Sequence, residues 1–407
     1  MKFSRAFRNH RAIGYLTPED RYLAAPGEPE LRFAFIGVGI MGQEHIRNTL
    51  LEGRATVAGI HDTSAESIEF TLAALAKDGV TPSVYPTVEA AAADPTVDVL
   101  VISTPNHTHV DMMRAVAGCD KAIFLEKPLA TTLADAAEIH RLASAHERLV
   151  QIGLQYRYKA VYREALEEVL TRQVLGTVRS VQMVEHRFPF LDKVGQWNKF
   201  DAFTGGTLVE KCCHYFDLMN LFAGSRPTRV FATGAQARNF KDFSRDNRRA
   251  DGIDQANAIL EFANGVQGNF SLNMFTPGSR EELVVCGDDG RLHTVESARL
   301  GAAHHNHLSL WLGDEGVSRE TTPAYPPYIE QAGHHGSTFM EHIVLVDNVL
   351  NGSRDGAGLD DALWSVIVAQ ACQLSIQRGE AVAVEECIPE GMRAVAGTDA
   401  DETLSGG

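Results

Sequence analysis

Several features that would reveal a function at once are missing or scarce. The six cysteines (Cys119, Cys212, Cys213, Cys286, Cys372 and Cys387) follow neither a CxxC nor a zinc-finger spacing across 407 residues. That excludes a disulfide framework and a thiolate metal cage. No run of about 18 apolar residues occurs, so no membrane span is expected. Positive charge is scarce, with 37 Lys and Arg against 53 Asp and Glu and a formal net charge of −16. Nonspecific nucleic-acid binding and docking on anionic membranes need a basic face and are excluded. The first residues carry Lys2, Arg5, Arg8 and Arg11 but no continuous apolar stretch, so a secretory signal is not expected. Residues 1–30 read as an N-terminal extension, and reduced cytoplasmic thiols are the expectation.

Apolar residues make up 44% and charged residues 22% of the chain, enough to bury real cores. The length suits two or three domains. Over 31–150, short apolar runs (LRFAFIG, TVAGIHD, VDVLVIST, AIFLEK) alternate with helical stretches (QEHIRNTLLEG, SAESIEFTLAALAKDG, LADAAEIHRLASAHE). Alternating β and α predicts right-handed crossovers and a doubly wound parallel sheet, an α/β Rossmann domain. From about 151 to 388 the pattern changes. Asn264-Gly265 lies between two alternating runs, and Asp288-Asp289-Gly290 follows LVVCG, both hairpin signals. The expectation is an α+β domain with a large, open, mainly antiparallel sheet, and late helices over 339–350 and 359–378 packing back on it. Residues 389–407 read as a disordered tail.

Gly37-Val38-Gly39-Ile40-Met41-Gly42 follows the first strand and opens a helix, as a dinucleotide fingerprint must. Gly37 permits a tight turn, Gly39 lets a pyrophosphate approach the backbone, and Gly42 brings helix and strand together. The helix N-terminus then meets the phosphate charge. Asp62 ends the second strand about twenty residues past Gly42, suited to a ribose 2′-hydroxyl, while Thr63 and Ser64 offer no cation for a 2′-phosphate. NAD is therefore expected over NADP, with Ile40 and Met41 of the fingerprint beside it.

Two more segments sit at C-terminal strand ends, where open α/β sheets place their sites: Ser103-Thr104-Pro105-Asn106-His107 and Glu126-Lys127-Pro128. With GVGIMG, TPNHTH, EKPLA and GGTLVEKCCHYFDLMNLF, the chain resembles the Gfo/Idh/MocA oxidoreductases over roughly residues 31–380. The resemblance implies a nicotinamide cofactor along Thr104, Asn106, His107, Glu126 and Lys127, and a sugar or polyol in the cleft between domains. It implies that Lys127 touches both the cofactor ribose and the reacting hydroxyl. Where the family carries an Asp and, four residues later, a His, this chain has Glu210 and His214, with Asp217 beyond. Offsets of four and seven place these three on one helical face. On this reading His214, oriented by a carboxylate and titrating near neutral pH, is the base, and Lys127 stabilises the alkoxide.

The segment Arg187–Asp201 is locally positive. Lys193, Gln196, Trp197 and Lys199 are donors able to converge on a sulfonate, phosphate or carboxylate; alternatively the lysines only pair with Asp192 and Asp201. Tyr156, Arg157 and His186 either line the sugar site or pack the domain junction. His304, His305 and His307 have no ligand-spaced acid or thiol beside them, so a surface loop and no metal are expected; His334-His335 read as a helix start.

Three readings follow. The GQWNKF loop ahead of GGTLVEKCCH is similar to the NAD-dependent sulfoquinovosidases, a glycosidase branch of this fold. That resemblance implies hydrolysis of an anionic glycoside by C3 oxidation, elimination, water addition and reduction on one retained NAD, with no flanking carboxylate pair. The alternative is a sugar or polyol dehydrogenase giving net NADH. A non-catalytic sugar sensor is the third, and Lys127 with His214 argues against it. A homo-oligomer, dimer or tetramer, is expected.

Overall fold

A computed structural model describes residues 28–298, 304–313, 317–389 and 392. The expectations for residues 1–27 and for nearly all of the tail beyond 389 lie outside the described residues.

The N-terminal strands are β1 (Leu31–Ile36), β2 (Ala55–His61), β3 (Ser83–Val84), β4 (Val99–Ile102), β5 (Ala122–Glu126) and β6 (Val150–Gly153). They form one parallel sheet in the order β3-β2-β1-β4-β5-β6. Crossover helices are α1 (Ile40–Glu52), α2 (Ala65–Lys77), α3 (Val88–Ala93), α4 (His109–Val116) and α5 (Leu133–Ser144). Ser64, Thr87 and Thr132 cap α2, α3 and α5 by accepting backbone N–H bonds from Ser67, Ala90 and Asp135. β1 and β4 are almost wholly buried, which is why they read as continuous apolar runs.

The second sheet has nine strands in the order β16-β15-β14-β13-β7-β12-β11-β8-β17. Along the chain, α6 (Ala160–Leu166), β7 (Val178–His186), α7 (Cys213–Ala223) and β8 (Pro227–Ala235) come first. The small hairpin of β9 (Ser244–Arg245) and β10 (Arg248–Arg249) precedes β11 (Gln255–Phe262), β12 (Gln267–Asn273), β13 (Ser279–Gly287) and β14 (Gly290–Ala298). After β15 (His305–Leu312) and β16 (Val317–Thr321) come α8 (Ser337–Asn351), α9 (Leu359–Arg378) and β17 (Val382–Ala383). Both expected hairpins form, Glu261 pairing with Gln267 and Cys286 with Arg291. All ladders are antiparallel except β7 with β12.

Two expectations change. The run 207–223 is not one helix: a single turn, Thr207–Glu210, ends before α7 begins at Cys213. The late helices also part company. α9 lies on the second sheet, where Ser375 Oγ accepts the Ala232 N–H. α8 instead crosses to the N-terminal layer, and its Leu345 and Val346 join Phe33, Phe35, Ile60 and Phe124 in that core. An apolar period alone cannot say which of two sheets a helix covers.

Candidate active site

The cleft at the carboxyl ends of β1, β4 and β5 encloses a cavity of about 430 Å³ and opens to solvent. Gly37, Gly39, Ile40, Met41 and Asp62 line one end, with Thr104, Asn106, His107, Glu126 and Lys127 continuing the wall. Lys193 and Trp197 stand at the same cleft from the second domain's donor loop.

The fingerprint glycines fit a dinucleotide. Gly37 has φ +86°, and a Cβ there would come within 2.9 Å of the Ser103 backbone. A Cβ on Gly42 would meet Gly37 O at 2.2 Å, so helix and turn touch only without a side chain. Gly39 faces open space, with nothing within 4 Å of where its Cβ would lie. That leaves its backbone approachable by a pyrophosphate. Asp62 holds the loop: its carboxylate accepts the Val38 N–H at 2.7 Å and the Ser64 N–H at 2.8 Å. The cleft residues next to it in sequence are His61, Thr63, Ser64 and Ser67; the lysines lining the same cleft among the described residues are Lys127 and Lys193.

The reactive end is a cluster of paired charges. Lys127 Nζ donates to the Glu210 carbonyl at 3.0 Å. Burial would lower its pKa, but Glu210, Cys213 and Glu126 raise it, so it stays cationic. Buried Glu210 accepts from Lys193 Nζ at 3.0 Å and, at its other oxygen, from the Asn106 amide. Burial is overridden by the Lys193 and Lys127 cations, and its pKa falls to about 2. Glu126 accepts the Lys127 N–H at 3.0 Å and contacts His45 Nε2 at 2.7 Å; His45 Nδ1 lies 2.9 Å from His342 Nε2. Sequence reasoning missed His45 and His342, which belong to helices far apart in the chain.

Glu210, His214 and Asp217 do not share partners as the expected face would: the helical run is interrupted at Lys211-Cys212. Glu210 goes to Asn106 and Lys193, while Asp217 meets Arg157. His214 is buried and stacks on Tyr156 at 4.1 Å and 7°. Its Nδ1 is buried with no hydrogen-bond partner among the described residues. Burial and the cations of Lys127 and Lys211 push its pKa well below the usual imidazole value, so it is neutral at pH 7 rather than poised there.

The donor loop divides. Lys193 lies 4.5 Å over the Trp197 ring at the cleft. Lys199 points elsewhere: Nζ meets Asp192 at 2.7 Å and Gln196 Oε1 at 2.6 Å, beneath the Phe243 ring. Gln196 and Lys199 are therefore not brought to the cleft, and the four expected anion donors do not converge. Arg157 is a junction residue, its Nε 2.6 Å from Asp217 and Nη2 3.0 Å from Asp361. Tyr156 supports His214 from behind, under Lys159 and beside Lys211. His186 ends β7 opposite Arg280 and does not line the cleft. Lys211, with Nζ 3.1 Å from Glu185, is a buried cation beside the site that sequence reasoning passed over.

Family models match both halves of the chain. Residues 31–154 match the NAD-binding Rossmann fold of an oxidoreductase family, and residues 167–384 its C-terminal alpha/beta domain. The chain belongs to the Gfo/Idh/MocA oxidoreductase family. Its N-terminal domain is an NAD-binding Rossmann domain. Myo-inositol 2-dehydrogenase of Thermotoga maritima is 22% identical over 88% of this chain and all of its own length. The NAD(+)-dependent scyllo-inositol 2-dehydrogenase of Bacillus subtilis is 24% identical over 88% of this chain and 97% of its own. The structure of GenD2 from gentamicin A biosynthesis, in complex with NAD, superposes with a TM-score of 0.69 at 24% identity, covering 87% of this chain and 96% of that one. No helix among the described residues is long and apolar enough to cross a membrane.

Proposed function

We propose that this Gfo/Idh/MocA protein is an NAD-dependent dehydrogenase that oxidises a secondary alcohol of a sugar or polyol. The observation that carries the reading is Lys127, a cation on the same wall as the fingerprint glycines. Bound NAD supplies the hydride acceptor. Lys127 keeps N–H donors for the substrate oxygen as negative charge develops there. His214, unprotonated and set behind the Lys127 end of the cleft wall rather than on it, is the acceptor for the hydroxyl proton. Glu210, steadied by the Asn106 amide, holds Lys193 at its carboxylate and Lys127 at its carbonyl without consuming the imidazole. Inositol dehydrogenases among the relatives support a polyol substrate.

The test is incubation with NAD and a panel of inositols and aldoses, following NADH absorbance. Stoichiometric NADH on one of them supports the reading. Release of aglycone from an aryl sulfoquinovoside without net NADH would overturn it in favour of the redox glycosidase. A division into these two domains belongs to the same proposal, with the boundary expected at 150/151 moved past Gly153, because β6 (Val150–Gly153) is a strand of the Rossmann sheet. So does a homo-oligomer, supported by Phe231 and Ile259, exposed register partners on the second sheet.

A further inference from the structure

A second group of side chains lies outside the cleft, where β14, the entry to β15 and the turn before α8 meet. Glu296 of β14 is buried; its Oε1 accepts from Lys159 Nζ at 2.7 Å. Its Oε2 has no hydrogen-bond partner among the described residues, and neither has His304 Nε2, 3.5 Å away. The two atoms face each other at ion-pair range without a well-formed hydrogen bond among the described residues, and a buried carboxylate oxygen and imidazole nitrogen so weakly satisfied ask for a ligand. His335 completes the group. It is held at φ +53° on the turn before α8, and its ring stacks on His304 at 3.7 Å and 7°. One ligand atom from each of the three lies within 4.8 Å of the others.

We propose that Glu296, His304 and His335 form a binding site for a divalent transition metal such as Zn²⁺. Two imidazoles and one carboxylate are a borderline donor set suited to such an ion and leave coordination positions open. Glu281, which accepts from Lys159 at 2.7 and 2.8 Å, adds a second carboxylate against that one ammonium, so a dication is not repelled. To bind, the stacked rings must splay so that both lone pairs converge. The ion would tie the second sheet to the turn that starts α8, the helix that reaches the N-terminal layer. It would also sit close behind the active site, since Lys159 covers the Tyr156 ring at 3.9 Å and Tyr156 stacks on His214.

The experiment is Co²⁺ titration of chelator-stripped, tag-free full-length protein, read by visible absorption and by melting temperature. One Co²⁺ per chain with a ligand-field band and a raised melting temperature is expected. H304A and H335N should each weaken binding at least about 100-fold, while H305A, a neighbouring exposed histidine, should not. Asn is chosen at 335 because it tolerates positive φ, and the metal-free melting temperature of each variant reports that it folds. Absence of stoichiometric Co²⁺ binding, or binding retained in folded H304A and H335N, overturns the proposal.

Discussion

Arg157 separates a structural reading from a substrate-binding one, and its substitution by Met tests which holds. Its guanidinium bridges Asp217 of α7, Asp361 of α9 and the Gly356 carbonyl, at 2.6, 3.0 and 3.3 Å. The side chains of Arg157 and Asp217 are only 9% and 1% exposed. Removing the cation leaves Asp217 charged and buried, a loss of about 3–5 kcal/mol for such pairs. For a protein of this size that is a fall in melting temperature on the order of 5–10 °C. Burial already holds the Asp217 pKa above its ordinary value despite Arg157, and loss of Arg157 drives it higher. A carboxyl whose folded pKa is raised contributes fully below its unfolded value and loses that contribution as pH rises from there through its folded value. The deficit of R157M should therefore be largest near pH 7 and shrink toward pH 5. D217N in the same chain should restore most of it. Urea unfolding at both pH values with polyol KM measured alongside decides the matter. A melting temperature unchanged within about 2 °C, with a raised KM, would refute the structural assignment.

Lys127→Met should cut kcat/KM by about 10²–10³-fold with a smaller change in NAD affinity; a loss seen only in affinity would remove Lys127 from the chemistry. Glu210 has its pKa depressed from 4.5 to about 2, so its stabilisation is present above pH 4.5 and is lost as pH falls toward 2. E210Q should therefore be less stable by about 3 kcal/mol at pH 7 and by about half that at pH 3, measured by denaturant unfolding; a gap independent of pH would contradict it. Asp62→Ala frees the Val38 and Ser64 amides and should weaken NAD about tenfold or more while relaxing discrimination against NADP; fluorescence titration with both dinucleotides reads the outcome.

The N-terminal half was legible because its signals are local. A strand, a glycine turn, a helix start and Asp62 lie within about thirty residues, and each fixes backbone geometry by itself. The hairpins at Asn264-Gly265 and Asp288-Asp289-Gly290 were legible for the same reason. What was not legible depended on partners brought in by the fold. Glu210 and His214 have helical spacing, yet Glu210 finds Asn106 and Lys193 and the helix breaks between them. His304 has no acid at a metal-ligand spacing in sequence, but the pairing of β14 with β15 brings Glu296 beside it and the turn before α8 brings His335. Burial was the other hidden variable, since it moves His214 away from neutral titration.

The pairing of charges also bears on substrate class. A pocket for a sulfonate or phosphate needs donors whose own countercharge is absent, because an anion must otherwise displace a carboxylate already in contact. Lys193 is joined to Glu210 at 3.0 Å and Lys199 to Asp192 at 2.7 Å. Admitting an anion beside Lys193 would place it next to a buried carboxylate ionised down to about pH 2, a like-charge contact. A neutral polyol meets no such cost, for its hydroxyls can donate to Glu210 and accept from Lys127 and Lys193 together. The arrangement therefore favours an uncharged substrate. Affinity for inositols should exceed that for their phosphates, and the preference should reverse in E210Q, where Lys193 loses its partner. If the phosphates bind more tightly to the unaltered protein, Lys193 is released from Glu210 on binding and the charge argument fails.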